Sequence, residues 1–180
     1  LLCIEKCALE NNDYLLDVGT GAGFPGLPIK IFLPGIKLTL LDSLEKRCRF
    51  LAQVVEDLEL EKVDIIHGRA EDQGRNPDLR EKFSKVTARA VTNLPVLAEY
   101  CLPFLKVGGL FFALKGPDVQ VEAENAKKAI NILGGVMEEI KHYRLPLLQD
   151  ARSLVIVKKI SSTPENYPRK AGIPAKKPII

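Results

Sequence analysis

The chain has 180 residues, 46% of them apolar and 27% charged, with a net charge of +3. That is enough for one domain with a sizeable core. No apolar run approaches the ~20 residues that cross a bilayer, and no secretory signal is visible. The first residue is Leu1 rather than Met, so an N-terminal part is expected to be missing.

In chain order, residues 1–9 read as the end of a helix. A first strand is expected at 14–18 and a crossover helix at about 25–32, where Pro25 suits the first turn. A second strand at 37–41 precedes a long amphipathic helix with Leu44, Cys48, Leu51, Val54, Val55 and Leu58 on its apolar face. The third strand spans 63–67. A polar stretch with Gly74 and Pro77 then leads to a short helix and a fourth strand at 85–90. A helix over 94–105 is interrupted near Pro103. A fifth strand at 110–114 and a helix over 119–133 follow, the latter ending at Gly134-Gly135. Residues 136–143 and 153–160 read as an antiparallel hairpin at one edge. Strands alternating with helices give an α/β fold with a Rossmann-like, mostly parallel seven-stranded sheet. The boundary is placed at 1–160 for this domain and 161–180 for a basic, Pro-rich tail in which four prolines oppose regular structure.

The strand-to-helix turn carries the strongest signal. Asp17-Val18-Gly19-Thr20-Gly21-Ala22-Gly23-Phe24-Pro25-Gly26 reads D-x-G-x-G-x-G. Glycines there allow a tight turn and close backbone approach to a ligand. Gly21 to Gly26 also satisfies the dinucleotide pattern G-x-G-x-x-G, which keeps an NAD-dependent oxidoreductase open as an alternative. Asp17 tilts the reading. A carboxylate repels a pyrophosphate but attracts the cationic aminoacyl end of S-adenosylmethionine (SAM). Asp42, at the end of the second strand, is placed to accept ribose hydroxyls of either cofactor, or to cap the next helix.

The four cysteines, Cys3, Cys7, Cys48 and Cys101, form no C-x-x-C pair, and His67 and His142 lie apart from them. No metal site is expected. Scattered single cysteines suit a reducing cytoplasm. From Lys158 onward, Lys158, Lys159, Arg169, Lys170, Lys176 and Lys177 face Glu165 alone. A basic tail on a slightly acidic body points to a polyanion, or serves only solubility. A non-catalytic RNA-binding module is therefore a further alternative.

Several segments together resemble a known family: LLDVGTGAGFPGLPIKIFLP, LLDSLEKRCRFL, GRAED, ARAV, ALKG and the closing YPRKAGIPAKKPI. They are similar to the bacterial 16S rRNA (guanine-N7)-methyltransferases, also called glucose-inhibited division protein B, over nearly the whole chain. The resemblance implies a SAM-dependent methyltransferase fold and methyl transfer from SAM to N7 of a guanine in 16S rRNA or the 30S subunit. It implies a cofactor site at Asp17, Gly19, Gly21, Gly23, Phe24, Asp42, Ser43, Leu44, Ala70, Glu71 and Arg89, with Ala70 and Glu71 flanking the adenine. Arg89 and Lys115 are positioning candidates near the acceptor, each with a plain structural alternative. Lys115, Arg152, Arg169, Lys170, Lys176 and Lys177 are candidates for RNA contact. A cytoplasmic monomer without membrane or metal is expected. Loss of residues 161–180 is expected to weaken RNA binding while sparing SAM binding.

Overall fold

The computed structural model describes Cys7 and residues 9–145 and 149–180. The helix end expected at residues 1–9 and the side chain of Cys3 therefore fall outside the described residues, apart from Cys7 and Leu9, which are buried. The strands are β1 (Tyr14–Val18), β2 (Lys37–Asp42), β3 (Val63–His67), β4 (Phe83–Arg89), β5 (Leu105–Lys115), β6 (Gly135–Arg144) and β7 (Ala151–Lys159). The helices are α1 (Gly26–Phe32), α2 (Glu45–Asp57), α3 (Ala70–Gln73), α4 (Leu94–Cys101), α5 (Gln120–Ile132) and α6 (Ile173–Lys176), with a 3-10 turn at Leu102–Phe104.

One seven-stranded sheet runs β3-β2-β1-β4-β5-β7-β6. Neighbouring strands from β3 through β5 pair in parallel. The hairpin expectation needs refinement. Only β7 is reversed; it lies between β5 and β6, antiparallel to both, so edge strand β6 points the same way as β1–β5. A short connection forces β6 and β7 to run antiparallel, and β7 rather than β6 continues the sheet from β5.

The central strands are apolar nearly throughout because both faces are covered. Leu16, Leu41, Val86, Phe111 and Val157 enter the core under α4 and α5. Leu15, Leu38, Leu40, Phe112 and Ile156 enter the opposite core with Leu27 and Leu51. The period-2 alternation assigns each residue to its face.

Three expectations about elements change. The short helix lies before Gly74, at Ala70–Gln73, and residues 77–81 form turns. Leu44 and Leu58 flank α2 and stay about half exposed, while Cys48 and Leu51 carry its burial. β5 begins at Leu105, because residues 105–110 continue along β4 past an irregularity in register.

The parallel strands all end at one rim. The chain leaves β1 toward β2 on one side and returns to β4 on the other, so the rim beside β1 is a topological switch point. Open α/β sheets bind ligands at such crevices.

Candidate functional site

The loop after β1 folds over the end of β2. The Gly19 and Thr20 amides both donate to the Leu41 carbonyl, at 2.8 and 3.2 Å. Gly21 adopts φ +62°, a left-handed conformation that disfavours other residues, and no atom lies within 4 Å of where its Cβ would stand. The backbone there is bare to an incoming ligand. Gly26 answers a different need: a Cβ would fall 2.6 Å from Leu40 Cδ2 and 3.0 Å from Asp17 Oδ2.

Asp17 sits beneath this loop rather than facing the cleft. It is fully buried, and Oδ2 accepts from Thr20 Oγ1 at 2.7 Å and from the Gly26 amide at 2.9 Å. Its Oδ1 has no hydrogen-bond partner among the described residues. Burial pushes its carboxyl up to about 7, against those two hydrogen bonds and the field of Arg89. The structure therefore gives Asp17 a definite role as the clamp that shapes the loop. Local sequence reasoning sees an acid beside glycines but not which way it points.

Asp42 does face the cleft. Its Oδ2 accepts from the Gly21 amide at 2.9 Å and its Oδ1 from the Leu44 amide at 2.9 Å. Arg47 Nη1 approaches Oδ2 at 3.3 Å. Leu44, not Asp42, is the N-cap of α2, and that cap has no side-chain hydrogen bond. The capping alternative for Asp42 thus gives way to a tie between the β2 end and the glycine loop. Four carboxylate lone pairs leave capacity for further donors. Val18, Gly19, Leu41 and Ser43 continue this wall.

The opposite wall comes from the loop after β3 and from α3. Gly68, Arg69, Ala70 and Glu71 line it, with Val91 and Tyr100 closing the cleft above. Glu71 is buried. Its Oε1 accepts from the Gly172 amide at 2.9 Å. Burial, with the charge of Glu71, pushes the phenol of Tyr100 up to about 12. Sequence reasoning found Ala70 and Glu71 but missed Val91, Tyr100, Gly68 and Arg69. Gly68 and Arg69 were legible as neighbours of the same strand end. Tyr100 lies inside α4, and nothing local distinguishes it from an ordinary core aromatic.

Arg89 ends β4 and is exposed at the cleft mouth. It makes no hydrogen bond or ion pair among the described residues. Its guanidinium carbon lies 5.3 Å from the centroid of the Phe24 ring, which is 47% exposed. That is a cation–π contact between the glycine loop and β4. Lys115 differs sharply. Its side chain is 12% exposed, and Nζ donates to the Thr92 carbonyl at 2.7 Å and to Glu122 Oε1 at 2.6 Å. Glu122 also accepts from the Leu94 amide. Lys115 is thus committed to holding the loop that follows Arg89, and its charge is spent inside the fold.

The candidates for RNA contact separate in the same way. Arg152 pairs with Asp150 at 2.9 Å and donates to the Ala151 carbonyl. Arg169 forks onto buried Glu99 through Nε and Nη2, the shortest contact being 2.6 Å. Lys170, Lys176 and Lys177 are exposed. The segment that carries them is packed, and despite its prolines it forms the one-turn helix α6. Pro174 sits in the first turn of α6, where its missing N–H costs nothing.

The cleft suits an adenosine. It offers one carboxylate at the end of β2 for a diol, apolar flanks at Leu41, Ala70 and Val91, and a bare glycine backbone beside them. Among the described residues no cluster of His, Cys, Asp and Glu is placed to hold a metal ion, and no helix is long and apolar enough to cross a membrane.

Comparison with known proteins gives an independent view. The family model described as "GidB: rRNA small subunit methyltransferase G" matches residues 2–155. The ribosomal RNA small subunit methyltransferase G of Lactobacillus johnsonii is 56% identical over 165 residues, covering 92% of this chain and 69% of that protein. That of Acetivibrio thermocellus is 53% identical over 170 residues, covering 94% and 70%. Among solved structures, a SAM-dependent methyltransferase from Methanosarcina mazei superposes with a TM-score of 0.66 at 13% identity, covering 89% of this chain and 98% of that one. TrmN from Thermus thermophilus gives 0.67 at 15% identity, covering 88% and 47%. At such identities the likeness is one of fold.

Proposed function

The chain belongs to the rRNA small subunit methyltransferase G family and is a SAM-dependent methyltransferase, and from that premise we propose that it methylates N7 of a guanine in 16S rRNA, in the cytoplasm. The observation that carries this reading is a shared rim. The Asp42 cleft and the Arg89–Phe24 pair open side by side at the carboxyl ends of β1, β2 and β4.

In this reading Asp42 accepts the ribose hydroxyls with the oxygens that now meet the Gly21 and Leu44 amides. Leu44 and Ala70 flank the adenine, and Glu71 lies at its polar edge. The open backbone at Gly21 admits the rest of the cofactor, with Ser43, Gly19 and Gly23 shaping its surroundings. SAM brings a methyl group already activated by its sulfonium.

Guanine N7 carries an in-plane lone pair and no proton, so the chain needs no general base. Its task is alignment, holding the reacting atoms about 3–3.5 Å apart. Phe24 and Arg89 stand where the acceptor base enters. The Phe24 ring is about half exposed, and a free aromatic face favours a purine that gains positive charge as it is methylated. Arg89, without an ion pair among the described residues, is available to an RNA phosphate. N7 faces the deep, narrow major groove of A-form RNA, so the target guanine lies in a loop or distorted region. Exposed Lys170, Lys176 and Lys177 add sequence-independent attraction that falls steeply with salt.

The test is direct. The protein is incubated with methyl-labelled SAM and 30S subunits lacking the modification, and the RNA is digested to nucleosides. Labelled 7-methylguanosine from a single position is the expected result. Label on another atom or base would overturn the acceptor assignment.

A further inference from the structure

Residues 160–180 are fastened to the domain along their length. Lys159, buried at their start, donates to the Leu102 carbonyl at 2.8 Å and pairs with Glu81 at 3.6 Å. Glu81 in turn accepts from the Thr163 amide at 2.7 Å. Arg80 gathers the carbonyls of Thr163 and Tyr167 at 2.6 and 2.8 Å, and Arg75 holds that of Pro168 at 2.8 Å. Arg169 then locks onto Glu99 of α4 through its backbone amide as well as its side chain. Three residues later the strap reaches the cleft, where the Gly172 amide meets Glu71.

We propose that this strap is part of the cofactor site, and that Gly172 is a positioning residue acting through Glu71. A buried carboxylate that lines a ligand cleft is useful only if its orientation is fixed. The donor that fixes this one is the Gly172 amide, on Oε1 at 2.9 Å. That donor lies outside α3, which carries Glu71 and is only four residues long. Gly172 delivers its amide at φ +82°, in open space where a Cβ would touch nothing. Conformation, not crowding, favours glycine at that position. The Arg169–Glu99 fork sets the strap's height above α4, so the amide arrives at the right place. The inference rests on the reading that Glu71 meets the adenine.

The experiment measures SAM affinity by calorimetry in five proteins: the full chain, Gly172→Ala, a chain ending at Lys170, Glu71→Ala, and Gly172→Ala combined with Glu71→Ala. The chain ending at Lys170 lacks the amide but keeps the Arg169–Glu99 anchor. Loss of one hydrogen bond to a charged group corresponds to roughly a ten-fold weakening. We expect that loss in Gly172→Ala and in the shortened chain, and no further loss when Gly172→Ala is added to Glu71→Ala. Unchanged SAM affinity in the shortened chain overturns the role of the strap. So does a Gly172→Ala effect that persists in the Glu71→Ala background, since it would report general loosening. If Glu71→Ala itself leaves SAM affinity unchanged, the adenine reading falls instead.

Discussion

The two walls of the cleft are built in different ways. The first wall, the glycine loop with Asp42, joins residues close in sequence or on adjacent strands: Asp17 to Thr20 and Gly26, and Gly21 to Asp42. The second wall depends on residues far apart: Gly172 reaches Glu71 across 101 positions, and Arg169 reaches Glu99 across 70. A short-range motif can be written into a contiguous stretch and folds with its own strand. A long-range tie exists only once the sheet, α4 and the strap are all in place, and loop closure makes it costlier to form. The first wall is therefore expected to act on ligand affinity more than on stability. The second is expected to couple the two.

Four substitutions probe that contrast. Asp42→Ala removes a charged acceptor from the cleft, and at roughly 1.5–3 kcal/mol for each hydrogen bond to a charged group two ribose hydroxyls together imply about a hundred-fold or greater loss of SAM affinity. Calorimetry measures it, and a parallel melt reads the separate, smaller cost of the Gly21 and Leu44 amides that lose their acceptor. An equal loss of stability would erase the distinction between the walls.

Arg169→Ala leaves buried Glu99 without its ionic partner and with only the backbone amide of residue 169 as donor, which costs about 3 kcal/mol. For a domain of this size that lowers Tm by roughly 6–12 °C, and SAM affinity should fall with it. A variant with normal Tm would mean that Glu99 finds another donor.

Lys115→Met releases the Thr92 carbonyl and leaves Glu122 with one donor fewer. About 1–2 kcal/mol is expected, read as a several-fold drop in methyl-transfer rate with SAM affinity intact. A selective fall in RNA affinity instead would return Lys115 to the role of a phosphate contact.

The last effect concerns Asp17 and is read against pH. Burial lifts its folded-state pKa from the ordinary 3.8 to about 7. Between those values the folded chain keeps a proton that the unfolded chain releases. The stability this residue contributes is therefore full below about pH 4 and declines as pH rises through 7. Asp17→Asn should remove that decline, so the Tm difference between variant and parent shifts in the variant's favour from pH 4 to pH 7. Parallel Tm curves over that range would show that Asp17 ionises without penalty.

Much of this protein was legible in its residues. The strand-helix alternation, both glycine-loop acids and the residues around Glu71 follow from patterns no longer than a strand and a turn, because periodicity and turn chemistry are local properties. The family signatures were legible for the same reason, being contiguous. Direction was not. Sequence places Asp17 and Asp42 at the ends of neighbouring strands, but only packing turns one under the loop and the other into the cleft. It marks Lys115, Arg152 and Arg169 as available cations, while the fold gives each an acidic partner: Glu122, Asp150 and Glu99. The prolines after Ile160 rule out a long helix or central strand, yet they do not prevent a chain from being strapped down by Arg75, Arg80 and Glu99. Which charges remain free, and which distant amide completes a ligand wall, are properties of three-dimensional proximity. They are set when separate elements bury their shared surfaces, and no window of sequence contains them.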